Sequence, residues 1–305
     1  MPIPGTPAGQ GMVCKMAIER FRDWKPTAAT SALVETCGAI IGELYKYKLT
    51  LRQLYYQLVS RDVIPNQERE YRKLSRVLTD ARYAGLLDWG AIEDRIRQPD
   101  TPTEFDGLRE LVDAALDSYR LPRWEGQDGY VELWVEKDAL SSVLRPLARE
   151  YHVTLMVNRG YSSASAMYDS AQRFAVAENE GRGMHLFYLG DLDPSGEDMV
   201  RDIRKRFEEL CVSGVQVQKI ALTPEQVAMY NPPPNPAKRT DPRAAAFINQ
   251  HGASSWEVDA LPPDALVRLI REAIEGVLDM PAMEAVKARE AIDKARLRAL
   301  IGGVR

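Results

Sequence analysis

Apolar and polar positions change their period once along this chain. In the first third, apolar residues recur at three- and four-residue steps, the spacing of helices that bury one face. Ser31 to Tyr47 reads as an amphipathic helix. Thr50-Leu-Arg-Gln53 fits a capping box, so a second helix is expected from Leu51 to about Ser60, ended by Ile64-Pro65-Asn66. A third is expected from about Gln67 to Ala84, closed by Gly85. Its apolar positions Tyr71, Leu74, Leu78 and Ala81 share one face, and Arg69, Arg72, Lys73 and Arg76 share another. A fourth helix, about Thr103 to Tyr119, leads to Pro122-Arg-Trp-Glu-Gly126, a break that serves as the domain boundary.

Beyond that break, short apolar, β-rich runs alternate with helical stretches. Tyr130 to Val135, Val153 to Val157, Met184 to Leu189 and Val215 to Ala221 read as strands. Ala139 to Tyr151, Ser162 to Glu178 and Gly196 to Leu210 read as the helices between them. Ser255 to Val258 reads as one more strand ending in Asp259, after a stiff Asn231-Pro-Pro-Pro-Asn-Pro236 loop. Two helices, about Pro263 to Leu278 and Pro281 to Leu300, follow. The expectation is an α/β protein with a mostly parallel sheet flanked by helices over 126–305. A helical, winged-helix-like domain is expected over 31–125, and a flexible segment over 1–30. The three short helices, their basic face and the following Ile96-Arg-Gln-Pro99 suggest that module, with the third helix entering a DNA groove. A solvated face on a helical bundle is the competing reading.

Composition narrows the class. With 305 residues, 45% hydrophobic and 28% charged, the chain can bury the cores of two domains. No apolar run approaches the roughly 20 residues of a membrane span, and the start lacks the basic and apolar parts of a signal peptide. Cys14, Cys37 and Cys211 are scattered without metal or disulfide spacing, as expected of a reducing cytoplasm. Three histidines supply histidine-based catalysis poorly. The net charge is −4, but Lys48 to Tyr83 holds eight basic against four acidic side chains. The positive charge is therefore local, which suits a nucleic-acid partner better than the sum does.

The candidate chemistry lies where two strands end. Glu136 closes Val131-Glu-Leu-Trp-Val-Glu-Lys-Asp138, and Asp191 and Asp193 follow the strand in Met184-His-Leu-Phe-Tyr-Leu-Gly-Asp-Leu-Asp-Pro-Ser-Gly196. In an open parallel sheet both clusters emerge at the carboxyl ends of strands, where α/β sites form. In extended geometry Asp191 and Asp193 point the same way. Three converging carboxylates call for a hard cation, Mg2+ or Mn2+, which would stabilise charge on a transferring phosphate. An Asp-x-Asp alone is as well explained by helix capping; the combination with Glu136 is more specific.

A second candidate is the aromatic pair in Leu51-Arg-Gln-Leu-Tyr-Tyr56. Arg52 is four residues from Tyr56 and three from Tyr55, so spacing leaves both tyrosines open. A phenol with a pKa of about 10 is a weak nucleophile at neutral pH, and a guanidinium beside it favours the phenolate and can clamp a phosphate.

These residues carry a family resemblance. Val135-Glu-Lys137 and Asp191-Leu-Asp-Pro-Ser-Gly196 resemble the two halves of a Toprim domain, found in topoisomerases, bacterial primases and some nucleases. The order of a winged-helix-like module with Arg-x-x-Tyr-Tyr and then Toprim resembles the A subunit of topoisomerase VI and the related meiotic double-strand-break protein. The compact stand-alone A-subunit-like proteins of phages, plasmids and bacteria are the nearest in size. Gly160-Tyr-Ser-Ser163, Lys238-Arg-Thr-Asp-Pro-Arg243 and Trp256-Glu-Val-Asp-Ala-Leu261 look like that compact group too.

The resemblance implies that Glu136, Asp191 and Asp193 bind the metal, with Glu136 also a general acid/base, and that Tyr56 is the nucleophile. It implies a homodimer in which the tyrosine of one subunit works with the metal of the other, and a possible separate ATPase B-type subunit. The partner would be double-stranded DNA, gripped by Arg69, Arg72, Lys73 and Arg76, in the cytoplasm at the nucleoid. Glu257 and Asp259 are either further acids near the metal or a solvated strand residue and a helix cap. Arg239 and Arg243 either contact phosphate or are solvated. Two other functions remain open: a hydrolytic Toprim nuclease that does not use the tyrosine, and a non-catalytic DNA-binding dimer.

Overall fold

The structure, a computed structural model, describes residues 18, 20–44, 49–92, 102–158, 160–237 and 241–301. Three helices form the N-terminal body: α1 (Ala28–Glu43), α2 (Leu51–Ser60) and α3 (Glu68–Tyr83). The capping box at Thr50 is present: its hydroxyl accepts from Gln53 N and the Gln53 side chain accepts from Thr50 N. Val34, Cys37, Ile40, Leu54, Leu58, Leu74, Leu78 and Ala81 close one core between the three helices. The first helix starts three residues earlier than the pattern suggests, because Thr27 supplies its cap. Within the segment expected to be flexible, Phe21 and Arg22 donate backbone hydrogen bonds to Tyr83 O. Gly85 adopts φ +70 and ends the third helix as expected. The Ile96-Arg-Gln-Pro99 stretch lies outside the described residues.

After α4 (Leu108–Ser118) the chain enters a mixed α/β unit. Its sheet has four parallel strands, β1 (Gly129–Val135), β2 (Thr154–Val157), β3 (Gly183–Leu189) and β4 (Gln216–Ala221), in the order β2-β1-β3-β4. Strand β1 is buried on both faces, which is why its sequence reads as a nearly continuous apolar run. Helix α5 (Ser141–Tyr151) covers one face, with α10 (Pro263–Glu275) beside it, packing on Leu133, Val135, Phe187 and Leu189. Helices α6 (Ala164–Asn179) and α7 (Pro194–Glu209) cover the other, on Trp134, Leu186 and Tyr188. Strand order reverses between β1 and β3, the place where an open α/β sheet leaves a crevice at its carboxyl edge.

The C-terminal part departs from the sequence pattern. Helices α8 (Pro224–Tyr230) and α9 (Ala244–His251) lie where the sequence pattern predicts no element. The first carries its own capping box, Thr223 with Gln226. The expected strand from Ser255 to Val258 shrinks to β6 (Ser254–Ser255), paired antiparallel with β5 (Asn235–Pro236) outside the main sheet. Trp256 then bridges Leu192, and Val258–Ala260 forms a single helical turn. Helix α11 (Met280–Ile301) follows α10. Ala260, in that turn, is buried in the core of the N-terminal helices, so the two parts of the molecule share apolar contact there. Among the described residues no helix is long and apolar enough to cross a membrane.

Candidate functional site

The carboxyl edge of the sheet gathers side chains from four stretches of the chain. Glu136 follows β1 directly, its backbone N–H bonded to Leu189 O at 2.9 Å. Its Oε2 accepts from Asp191 N at 3.2 Å and lies 3.3 Å from the Tyr188 hydroxyl. Tyr188 is fully buried. Burial, together with the charges of Glu136, Asp191 and Asp193, pushes its phenol far above the usual range, so it stays a donor. Gly190 is required here: a Cβ would fall 2.5 Å from the Tyr188 hydroxyl. Gly196 is required for a similar reason, a Cβ there falling 2.2 Å from Asp191 O.

Asp191 and Asp193 serve different partners, against the expectation that they point together. Asp191 Oδ1 accepts from Val258 N at 2.9 Å, and Oδ2 lies 2.9 Å from Lys137 Nζ. Asp193 is the cap of α7: its Oδ1 accepts from Gly196 N at 2.7 Å and from the Ser195 hydroxyl at 2.9 Å. Pro194 sits in the first turn, where its missing N–H costs nothing. Lys219 of β4, unremarked in the sequence, donates to Asp191 O at 2.7 Å and pairs with Glu197.

The Lys137 ammonium occupies the point where three carboxylates meet. Besides Asp191 it lies 2.6 Å from Glu257 and 3.1 Å from Asp259, both delivered by the turn that was expected to be a strand. Glu257 and Asp259 therefore belong to the same cluster as Glu136 and Asp191. Burial works against Glu257, but the charges and hydrogen bonds of Lys137 and Arg52 outweigh it and hold the carboxyl down at about 2. Asp191 behaves oppositely. Burial raises it to about 7, Glu136 and Asp259 add to the rise, and Lys137 opposes it.

The N-terminal body completes the cluster. Arg52 on α2 is ion-paired with Glu257 and lies 3.4 Å from Asp259 through Nε. Its guanidinium also sits over the Tyr56 ring, 5.7 Å from the centroid, with Nη2 3.4 Å from the hydroxyl. The two tyrosines are now distinguished. Tyr55 bonds to Asn66 Oδ1 at 3.1 Å and Gln67 O at 3.2 Å, so its hydroxyl is spent on the loop before α3. Tyr56 lies against Arg52, whose own partners are Glu257 and Asp259 of the same chain. Arg52 does not leave it acidic. Burial, most of all, and Glu257 push the phenol up to about 12, with Arg52 and a hydrogen bond from Asn235 only partly opposing.

On α3, Arg69, Arg72, Lys73 and Arg76 are all exposed. Arg72 pairs with Glu68 and Lys73 with Glu70, while Arg69 lies 3.4 Å from Glu70, so part of their charge is met on the same helix. Arg243 is fixed by Asp241 and Asp198, and Arg239 lies outside the described residues.

Six carboxylates, Glu136, Asp191, Asp193, Glu197, Glu257 and Asp259, against the three cations Lys137, Arg52 and Lys219 leave this edge with an excess of acidic side chains, and hard oxygen donors of this kind suit Mg2+ or Mn2+. Among the described residues no three Asp, Glu, His or Cys side chains are arranged to hold a metal ion, and the point where Asp191, Glu257 and Asp259 meet is filled by the Lys137 ammonium. Lys137 and the capping role of Asp193 account for that. No protein-family model, curated protein or solved structure matches the chain.

Proposed function

We propose that the chain is a Toprim-type, topoisomerase VI A-subunit-like protein that cleaves and rejoins DNA through a 5′-phosphotyrosyl intermediate. One observation carries this reading: Arg52, from the N-terminal helices, stands at the acidic carboxyl edge of a parallel sheet, ion-paired with Glu257, 3.4 Å from Asp259 and 3.4 Å from the Tyr56 hydroxyl. A phenol, a guanidinium, an ammonium and several carboxylates are the groups that phosphoryl transfer to a tyrosine needs, and here they are neighbours.

In this reading Tyr56 Oη forms the new bond to phosphorus while the bond to the 3′ oxygen breaks, leaving a free 3′-hydroxyl. Arg52 exchanges Glu257 for the attacked phosphate and aligns it, a bidentate geometry that suits guanidinium. Glu136, its Oε2 held from below by Tyr188 and Asp191 N, serves as acid/base at the leaving oxygen. Mg2+ or Mn2+ bound by Glu136, Asp191 and Asp193 would supply stabilisation of the phosphate charge. The winged-helix-like N-terminal domain would lie on the duplex through Arg69, Arg72, Lys73 and Arg76, by phosphate contacts with little base readout. A homodimer would cut both strands, with each tyrosine beside the acids of its own chain where the resemblance implied those of its partner, and strand passage would need a separate ATPase subunit. The setting would be the cytoplasm, at the nucleoid.

A second reading, hydrolysis by the acidic edge without the tyrosine, draws on the burial of Tyr56, 4% exposed, and its raised phenol. One experiment separates them. Supercoiled plasmid is incubated with the protein and Mg2+ or Mn2+, stopped with denaturant, and examined for DNA bound covalently to protein, with Tyr56→Phe in parallel. An adduct lost in the variant supports the tyrosine reading. Cleavage without an adduct, retained in the variant, replaces it with the hydrolytic one.

A further inference from the structure

The loop after β2 holds two buried polar groups that have no hydrogen-bond partner among the described residues. Asn158 is 7% exposed and Ser162 is 8% exposed, and neither Asn158 Nδ2 nor Ser162 Oγ has a hydrogen-bond partner. Buried polar groups are almost always paired, since an orphan carries its full desolvation cost, so two on one short loop call for an explanation.

Their position supplies one. Strands β1 and β2 run in register with Val135 opposite Val157, and Asn158 N donates to Val135 O at 2.7 Å. Side chains alternate along a strand, so the alternation that puts Trp134 and Met156 beneath α6 and α7 puts Glu136 and Asn158 on that same face, next to each other at the carboxyl edge. Ser162 lies just before the cap of α6, whose Ser163 hydroxyl accepts from Ala166 N at 3.1 Å. Helix α6 is 16 residues long, has no acidic residue in its first turn, and exposes Ser163, Ala164 and Ser165. Its N-terminus carries free N–H groups and the positive end of the helix dipole. The loop is tied to a cation on α7, Arg206, which donates to Ser162 O. Gly160, at φ +88 with open space where a Cβ would be, leaves the backbone accessible.

We propose that Asn158, Ser162 and the first turn of α6 form a phosphate-binding subsite beside Glu136, which takes a backbone phosphodiester of the DNA. The occupant rests on the DNA-cleavage reading; the phosphate chemistry does not. An amide, a hydroxyl and a helix N-terminus bind a phosphodiester through neutral donors. That suits an edge already crowded with carboxylates, because the donors hold the strand near the acids and leave the acids unneutralised.

The test uses the full chain in the Tyr56→Phe background with chelator, so that no cleavage intervenes. In one arm, melting temperature is measured in inorganic phosphate and in chloride of matched ionic strength. In the other, the dissociation constant for a short labelled duplex is measured by anisotropy. Asn158→Asp, and Asn158→Ala with Ser162→Ala, are compared with the parent. We expect phosphate to raise the melting temperature of the parent and not of Asn158→Asp, and duplex binding to weaken roughly tenfold in both variants. Phosphate protection and duplex affinity unchanged in both variants would overturn the subsite. Phosphate protection that needs Asn158 beside duplex binding that does not would overturn its assignment to DNA. A parent that binds no duplex would remove the DNA-cleavage reading, and the phosphate arm would still decide the subsite. Should Asn158→Asp fail to fold, Ser162→Ala alone carries the same comparison.

Discussion

Arg52 and Glu257, 205 positions apart in the chain, form an ion pair that joins the tyrosine-bearing helix to the acidic edge of the sheet. Glu257 is shared with Lys137, so one carboxylate ties together the N-terminal helices, the end of β1 and the turn that carries Asp259.

That pairing makes the junction acid-sensitive. Glu257 is held well below its unfolded value, so its contribution to stability is complete at neutral pH and is lost as pH falls from about 4.5 toward 2. Glu257→Gln lacks this contribution at every pH. At pH 7 the variant is expected to be less stable by roughly 3 kcal/mol, since two cations lose a buried partner. The difference should shrink steadily through the acid range. Urea unfolding at a series of pH values measures it, and a pH-independent difference would contradict the assignment.

Tyr55 and Tyr56 should separate cleanly. Tyr55→Phe removes a hydroxyl bonded to the loop before α3, so it should cost about 1 kcal/mol of stability and leave any covalent DNA adduct in place. Tyr56→Phe should abolish the adduct with little loss of stability. Adduct formation in the parent should also speed up with alkaline pH. The phenol is raised to about 12, and the phenolate fraction grows about tenfold per pH unit below that value.

Replacing Lys137 tests the cation that sits among three carboxylates. Lys137→Ala leaves Asp191, Glu257 and Asp259 facing one another in a buried place, and a loss of about 3–5 kcal/mol is expected. Mg2+ or Mn2+ should restore part of the melting temperature in this variant, and chelator should remove that gain. A variant indifferent to divalent ions would argue against metal binding at this edge.

Gly196→Ala probes the backbone approach at the start of α7. Its Cβ would fall 2.2 Å from Asp191 O, so the turn bearing Asp191 and Asp193 must shift, at a cost of about 3 kcal/mol. Thermal melting reads the loss. Preserved stability would mean the turn gives way more easily than its contacts suggest.

On α3, charge should act through salt. Arg76→Ala should reduce the slope of log binding constant against log salt by about 0.9 if it touches a phosphate, with stability changed by less than about 0.5 kcal/mol. Arg72→Ala should do less, because Arg72 is already paired with Glu68. Equal effects at both positions would mean that DNA strips those pairs away.

Much of this was legible in the residues, for physical reasons. The capping box at Thr50 and the apolar runs of β1 and β3 are local signals, and the structure follows them. The nearness of Glu136 and Asp191 follows from a parallel sheet whose strands end at the same edge. What escaped depends on contacts between distant segments. Nothing in Trp256-Glu-Val-Asp-Ala-Leu261 says that a turn there will aim Glu257 and Asp259 at Lys137 and Arg52. Asp193 was read as a ligand partner of Asp191, yet its local capping bonds satisfy it first. Arg52 does lower the Tyr56 phenol as its spacing suggests, but burial of the ring and the nearby charge of Glu257 outweigh it, and neither is legible in the local sequence.

The burial of Ala260 among the N-terminal helices has a consequence for the order of assembly. A ribosome emits α1, α2 and α3 long before the turn that adds Ala260 to their core and supplies the partner of Arg52. The helices emerge early but lack their final apolar contact until the α/β unit has been translated through that turn. Contacts so distant along the chain close late and slowly. The helix that carries Tyr56 and Arg52 therefore gains Ala260 and the Glu257 pair only when synthesis has passed residue 260.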